Sequence, residues 1–200
     1  NTYVYSFFAI LIIVVLGMLI AYITTRRKSW LTNLIDTLTM FPYIIPGSVL
    51  GITLLLAFNE DPLILSGTAM IIIISLVIRR LPYTLRSSSA ILYQISPSIE
   101  EASISLGASP LRTFFKITAV MMIPGVLSGA ILSWITCINE LSSSVILYTG
   151  ATKTMSVAIY TEVIRASYGT AAALSTILTV TTVVALLLFF KVSGSKDISL

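Results

Sequence analysis

Residues 3–25 read YVYSFFAILIIVVLGMLIAYITT and end against Arg26-Arg27-Lys28. A bilayer core about 30 Å thick takes roughly 20 apolar residues of helix. A secretory signal would carry an apolar stretch of only about 7–15 residues behind a basic start. This run is longer and has its basic residues at the far end, so it reads as a true spanning helix. Asn1 stands where an initiator Met is expected, which predicts a fragment or the later part of a longer chain.

The rest of the chain has the same character. Of its 200 residues 56% are hydrophobic and only 10% charged, with a mean hydropathy of +1.01. Soluble domains carry about 25% charged residues. The composition therefore excludes a soluble enzyme, a disordered chain and a disulfide scaffold. Five segments reach spanning length: about 3–25, 34–58, 63–81, 121–148 and 171–192. Helix is required there because lipid offers no partner for an open backbone, and the period-2 alternation of a barrel strand is missing. The expected fold is an all-α, polytopic membrane bundle of five transmembrane helices forming a single domain over residues 1–200, in contact with lipid and not with nucleic acid.

Basic residues orient the spans. If the chain starts outside, Arg26, Arg27, Lys28, Arg79, Arg80, Arg86, Arg112, Lys116, Lys191 and Lys196 all fall on the cytoplasmic side, leaving only Lys153 and Arg165 outside. The acidic turn Asn59-Glu60-Asp61-Pro62 also lies outside. Cytoplasmic loops concentrate Lys and Arg, so the N-terminus is predicted outside and the C-terminus inside.

Within the spans two features break the apolar pattern. Phe41-Pro42-Tyr43-Ile44-Ile45-Pro46-Gly47 carries two prolines, each removing a backbone donor. Pro42 and Pro46 predict either a packed kink or a broken helix whose freed carbonyls line a pathway. In the fourth span, Asn139-Glu140 precedes Leu141 and the serines 142–144. A charge at mid-helix costs about 2.5–3.5 kcal/mol on insertion scales. Asn139, Glu140 and Ser142 are therefore candidates to line a translocation pathway, the alternative being a partly hydrated helix end near the outer surface. Asp36 reads as an interfacial charge. No His and one Cys, Cys137, leave no metal cage; scattered carboxylates and hydroxyls could pass a hard cation only transiently.

Residues 82–120 are too long for a turn and carry their own helix punctuation. Ser96-Pro97-Ser98-Ile99-Glu100-Glu101 offers an N-cap serine, proline at the first helical position and a capping box from Ser98 to Glu101. The glutamates complement the helix dipole, and Gly107 is placed to end the helix. Ser109-Pro110 starts a second helix toward the fourth span. Ile99, Ala102 and Leu106 give the first helix an apolar edge. Such an element either lies on headgroups or docks a partner.

Glu101-Ala102-Ser103, then Gly107, then Ile117 resembles the EAA loop of bacterial ABC-importer permeases, in both residues and spacing. Ser103 replaces the third-position Ala, and Ala119-Val120 replaces the Leu-Pro pair, with Pro124-Gly125 following. The resemblance implies a type I importer permease half, located in a bacterial inner membrane as a multi-pass protein. Glu101, Ala102, Gly107 and Ile117 would then be coupling residues on cytoplasmic ATP-binding subunits. Catalysis and cofactors, ATP with magnesium, would belong to those partners; nothing here resembles a P-loop. A second permease half, fused or separate, and an extracytoplasmic substrate-binding protein complete the implied partners. Residues 149–170, with Lys153, Glu162 and Arg165, are the candidate docking surface for the latter, or a segment that only packs.

Over roughly residues 34–190 the chain is most similar to the ferric-iron branch: Pro42 through Ile52, Gly67-Thr68-Ala69, Arg79 through Tyr83, Glu140 through Ser144, and Leu147-Tyr148 through Tyr160. Ferric iron is the implied cargo; permeases for thiamine, phosphonate, polyamine and sulfate share parts of these segments. A secondary transporter or channel would place coupling ions within the spans and show no docking loop. An intramembrane hydrolase would need a Ser with a His or Lys base, or paired aspartates, and the spans hold neither.

Overall fold

The computed structural model describes residues 1–193, and Lys196, counted above among the basic residues, lies outside them. The described residues form helices α1 (Thr2–Arg26), α2 (Trp30–Ile44), α3 (Gly47–Ala57), α4 (Ala69–Gln94) and α5 (Pro97–Ser105), with no strand among them. Next comes a 29-residue run, Pro110–Ile138, made of α6 (Pro110–Thr113), a π-helical turn (Phe114–Thr118) and α7 (Ala119–Ile138). The short α8 (Ser144–Leu147), α9 (Met155–Ile164) and α10 (Tyr168–Ser193) complete the order. The all-helical membrane class holds.

The count of five straight spans does not follow from these helices. Three are long and apolar enough to cross a bilayer: α1, the Pro110–Ile138 run and Tyr168–Lys191. The expected second span is α2 and α3, bent by 110° at their junction, so a fourth crossing arises only if the pair counts as one. Helix continues through Pro42 and stops before Pro46. The residue before a proline is pushed out of the α region, and Pro46 itself sits at φ −55°, ψ 138°. The segment expected to span 63–81 begins its helix only at Ala69 and carries it on to Gln94, with Arg79, Arg80 and Arg86 along it. The expected fourth span ends at Ile138, short of Tyr148, where the Asn139–Ser143 segment turns.

The chain forms two compact units. One holds Ile10–Ile44 and Val77–Ser133. Its core is Ala21, Leu85, Leu92, Ile95, Met122 and Val126, with Val14, Met18 and Ile91 packed around them. Burying apolar side chains gives little net drive between helices already in lipid, so close approach and hydrogen bonds matter more. Gly129 provides the first: a Cβ there would stand 2.6 Å from the Thr84 Cα. Thr84 and Ser133 provide the second, their hydroxyls 3.0 Å apart, with Ser133 donating onward to the Arg80 carbonyl at 3.1 Å.

The other unit holds Asn1–Ala9, Ile45–Leu76 and the described residues from Trp134 onward. Here α9 packs on α10, and α3 on α8. The start of α1 is tied to the loop before α9: the Asn1 side-chain amide donates to the Ala151 and Lys153 carbonyls, and Met155 N–H donates to the Thr2 hydroxyl. Tyr3 and Thr181 hydrogen-bond through their hydroxyls. Only 11% of the most apolar stretch of α10 is buried within the chain. Val180, Leu187 and Leu188 face outward, a surface suited to lipid and far too apolar for water.

Gly129→Val should destabilise the fold by about 1–3 kcal/mol, because the nearest atom it meets, the Thr84 Cα, is backbone and cannot step aside. Heating the detergent-solubilised protein with a thiol-reactive dye reads this directly, since Cys137 is buried; the variant's transition should fall several degrees below wild type.

Candidate functional site

Residues 95–118 form a helical hairpin whose local chemistry explains its shape. Ser96 caps α5 by accepting the Ser98 N–H, and Pro97 occupies the first turn. The expected capping box around Ser98 does not form, because Ser98 is already inside the first turn and its N–H goes to Ser96. At the other end Gly107 adopts φ +91°. Its N–H bonds to the Ile104 carbonyl and that of Ala108 to the Ser103 carbonyl, closing the helix end that a positive-φ glycine makes available. Ser109 then caps α6 through the Arg112 N–H. Ser103 and Thr113 join the two arms, their hydroxyls 2.9 Å apart.

The hairpin is clamped to the last turn of α1. Arg26 Nε donates to Glu100 Oε1 at 2.8 Å, and Arg26 Nη2 donates to the Ile95 carbonyl at 2.9 Å. Tyr22 donates its hydroxyl to Glu100 Oε2 at 3.0 Å and lays its ring 4.7 Å from that of Phe114. Both charged side chains are about seven-eighths buried. Such a pair is costly to break from one side, because the survivor keeps an uncompensated charge.

The clamp sorts the two glutamates. Glu100 is turned inward and fully engaged, whereas Glu101 and Ala102 are exposed. Around them Leu106, Leu111 and Phe115 also stand in the open, Leu106 at 90% of its surface. Ile99, Ala102, Leu106, Gly107, Arg112 and the half-buried Ile117 line a cleft of about 540 Å³. The four expected coupling residues therefore occupy one hairpin: Glu101, Ala102 and Gly107 on its surface, Ile117 at the back of the cleft. Sequence reading gave Glu100 only a dipole role. Its opposite charge to Arg26 was a visible signal, but nothing in the spacing placed the end of α1 beside α5.

The expected pathway residues are arranged differently. Glu140 directly follows the turn that ends α7 and is 3% exposed. Its Oε1 accepts the Ser143 N–H at 3.1 Å and lies 3.4 Å from the Ser143 hydroxyl, so the carboxylate fastens the turn leading into α8. The Ser156 hydroxyl, donating to the Ile138 carbonyl at 3.0 Å, fixes the same bend from α9. Asn139 and Ser142 are exposed, with the Asn139 amide bonded back to Ile135 of its own helix. Pro46 is in the same unit, whereas Pro42, half-buried inside α2, belongs to the unit that carries the hairpin. Asp36 pairs with Arg86 at 3.1 Å. Of the charges in 149–170, Glu162 and Arg165 pair with each other at 3.2 Å, and Lys153 lies 5.7 Å over the Tyr148 ring. No group of three or more His, Cys, Asp or Glu that could hold a metal ion occurs among the described residues.

Residues 13–193 match the family described as binding-protein-dependent transport system inner membrane component. The ferric transport system permease protein FbpB of Actinobacillus pleuropneumoniae is 37% identical over 190 residues, which is 95% of this chain and 28% of that protein. The chain thus spans just over a quarter of the length of that relative. A putative 2-aminoethylphosphonate transport system permease protein, PhnV, of Salmonella paratyphi A is 30% identical over 186 residues, 93% of this chain and 68% of that protein. Among solved structures, a bacterial alginate ABC transporter in complex with a periplasmic protein carrying an alginate pentasaccharide superposes with a TM-score of 0.77, at 19% identity, over 96% of this chain and 76% of that chain.

Replacing Arg26 with Ala, or Glu100 with Gln, should cost about 2 kcal/mol, between the values for exposed and for fully buried pairs. Hydrogen–deuterium exchange should then accelerate in residues 96–108 while α10 keeps its protection; unchanged exchange in the hairpin would deny the clamp.

Proposed function

The chain belongs to the family of binding-protein-dependent transport system inner membrane components, and from that premise we propose that it is one transmembrane half of an ATP-driven importer whose cargo is ferric iron. It is a multi-pass protein of the plasma membrane. The observation that carries the importer reading is the hairpin: an acid and small residues, Glu101, Ala102 and Gly107, are held outward on a helix whose other glutamate is locked to a span. A partner with a groove and a basic residue would take that face, with Glu101 pairing across the contact. ATP and magnesium belong to that partner, and this chain performs no bond-making chemistry.

In this reading the hairpin side is cytoplasmic, the N-terminus is outside and the C-terminus inside, as the basic residues suggest. Nucleotide-driven closure of two ATP-binding subunits draws two such hairpins together, and the Arg26–Glu100 clamp passes the movement to α1. A second permease half supplies the other wall of the path. The bend at Pro46 and the Asn139–Ser142 turn contribute exposed polar backbone and side chains to it, with Glu140 holding the turn rather than meeting cargo. The 149–170 segment receives an extracytoplasmic binding protein, which captures the metal; the chain itself offers only scattered oxygen donors for passage.

Support for iron comes from the 37% identity to a ferric permease. The phosphonate permease at 30% keeps that anion as the second reading. The deciding experiment is ATP-dependent uptake of radiolabelled ferric iron into vesicles carrying the full-length permease, its ATPase and its binding protein. Uptake above the ATP-free control is expected. Uptake of 2-aminoethylphosphonate in its place would replace the cargo and leave the importer reading standing.

Glu101→Lys should abolish uptake while the protein still inserts and melts like wild type. Its ATPase should no longer co-purify; retention at wild-type levels would remove Glu101 from the contact.

A further inference from the structure

A second polar cavity, of about 380 Å³, opens at the membrane edge where α1 ends, between that end, α2 and α4. Its wall carries Lys28, Arg86, Asp36 and the hydroxyls of Thr25, Ser89 and Tyr93. Arg86 donates from Nη2 to Asp36 at 3.1 Å and from Nε to the Met40 sulfur at 3.2 Å. The Asp36 charge is therefore already answered, and Lys28 pairs with no described residue. Thr25 and Ser89 are only 8% and 6% exposed, yet neither hydroxyl has a hydrogen-bond partner among the described residues. The wall thus holds one uncommitted cation, two hydroxyls open to the cavity and without a protein partner, and a phenol near the opening, at a net charge of +1 from Lys28, Arg86 and Asp36.

That donor set matches a compact, oxygen-rich, singly negative group. Next to Lys28, Trp30 is 74% and Leu31 59% exposed, an apolar shelf at the same membrane edge on which acyl chains could rest. Basic pockets between spanning helices bind anionic headgroups. We propose that this cavity is a site for a phosphate group with one negative charge, carried by an anionic phospholipid or present as free inorganic phosphate, with Lys28 as its counter-ion and Thr25, Ser89 and Tyr93 as hydrogen-bond donors.

Native mass spectrometry of the purified full-length permease with phosphatidylglycerol tests this, with phosphatidylcholine as the zwitterionic control and a parallel series in millimolar inorganic phosphate. One phosphatidylglycerol per cavity should be retained in preference to phosphatidylcholine. The double variant Lys28→Gln, Tyr93→Phe should lose at least roughly tenfold in affinity, as expected for a charge-assisted contact and a neutral one. Both positions are exposed, and wild-type melting of the variant confirms that it is folded. Loss of the lipid in phosphate, with phosphate binding reduced by the same variant, would assign the site to the free anion. Equal retention of both lipids with no phosphate binding, or affinities untouched by the variant, would overturn the proposal.

Discussion

A span already in lipid gains little by hiding its leucines against another span, so whatever holds these helices together has to be made of close backbone contact and hydrogen bonds. The seam between α4 and α7 is built on that constraint. Gly129 lets the Thr84 backbone come within reach of its own, and the Thr84–Ser133–Arg80 relay exploits the proximity. Ser87 adds a donated bond of 2.6 Å to the Gly125 carbonyl, in the turn that Pro124 opens. The hairpin, which runs on into α7, and the polar cavity, which α4 lines in part, share the helices that this seam joins.

The hairpin is a different kind of structure on the same scaffold. Its outer face mixes exposed Leu106, Leu111 and Phe115 with the charges of Glu101 and Arg112, and its inner face holds the Arg26–Glu100 pair beside Phe114. The Arg26–Glu100 pair is more valuable for direction than for stability, since buried pairs rarely repay their desolvation in full. It ties the helix bearing Glu101 to the last turn of α1.

Much of this was legible in the chain itself. Hydropathy gave the membrane class, and Ser96, Pro97, Gly107, Ser109 and Pro110 marked the hairpin's start, turn and restart, because caps and positive-φ turns are local events with local signatures. The resemblance to the EAA loop picked out Glu101, Gly107 and Ile117, which fall on one hairpin. What failed was long-range or competitive. Hydropathy sees apolar residues on both sides of Pro46 and cannot register a 110° bend. It also let the fourth segment run to Tyr148, although Glu140 and Ser143 turn the chain directly after Ile138. Glu100 and Glu101 are adjacent and chemically identical, so only the approach of Arg26 from 74 residues away separates their roles.

One detail bears on how the hairpin is aimed. The π turn at Phe114–Thr118 is a helix holding one residue more than its neighbours need, and it sits between the hairpin and the long run of α7. Each residue of an α-helix advances the chain by about 100° of rotation. The wider turn absorbs that extra residue, so losing it would restore regular helix and leave the cleft, Arg112 included, close to its present heading. The exposed face of the hairpin thus keeps its heading across a one-residue change in chain length, which regular helix in the same place would convert into a rotation of about 100°.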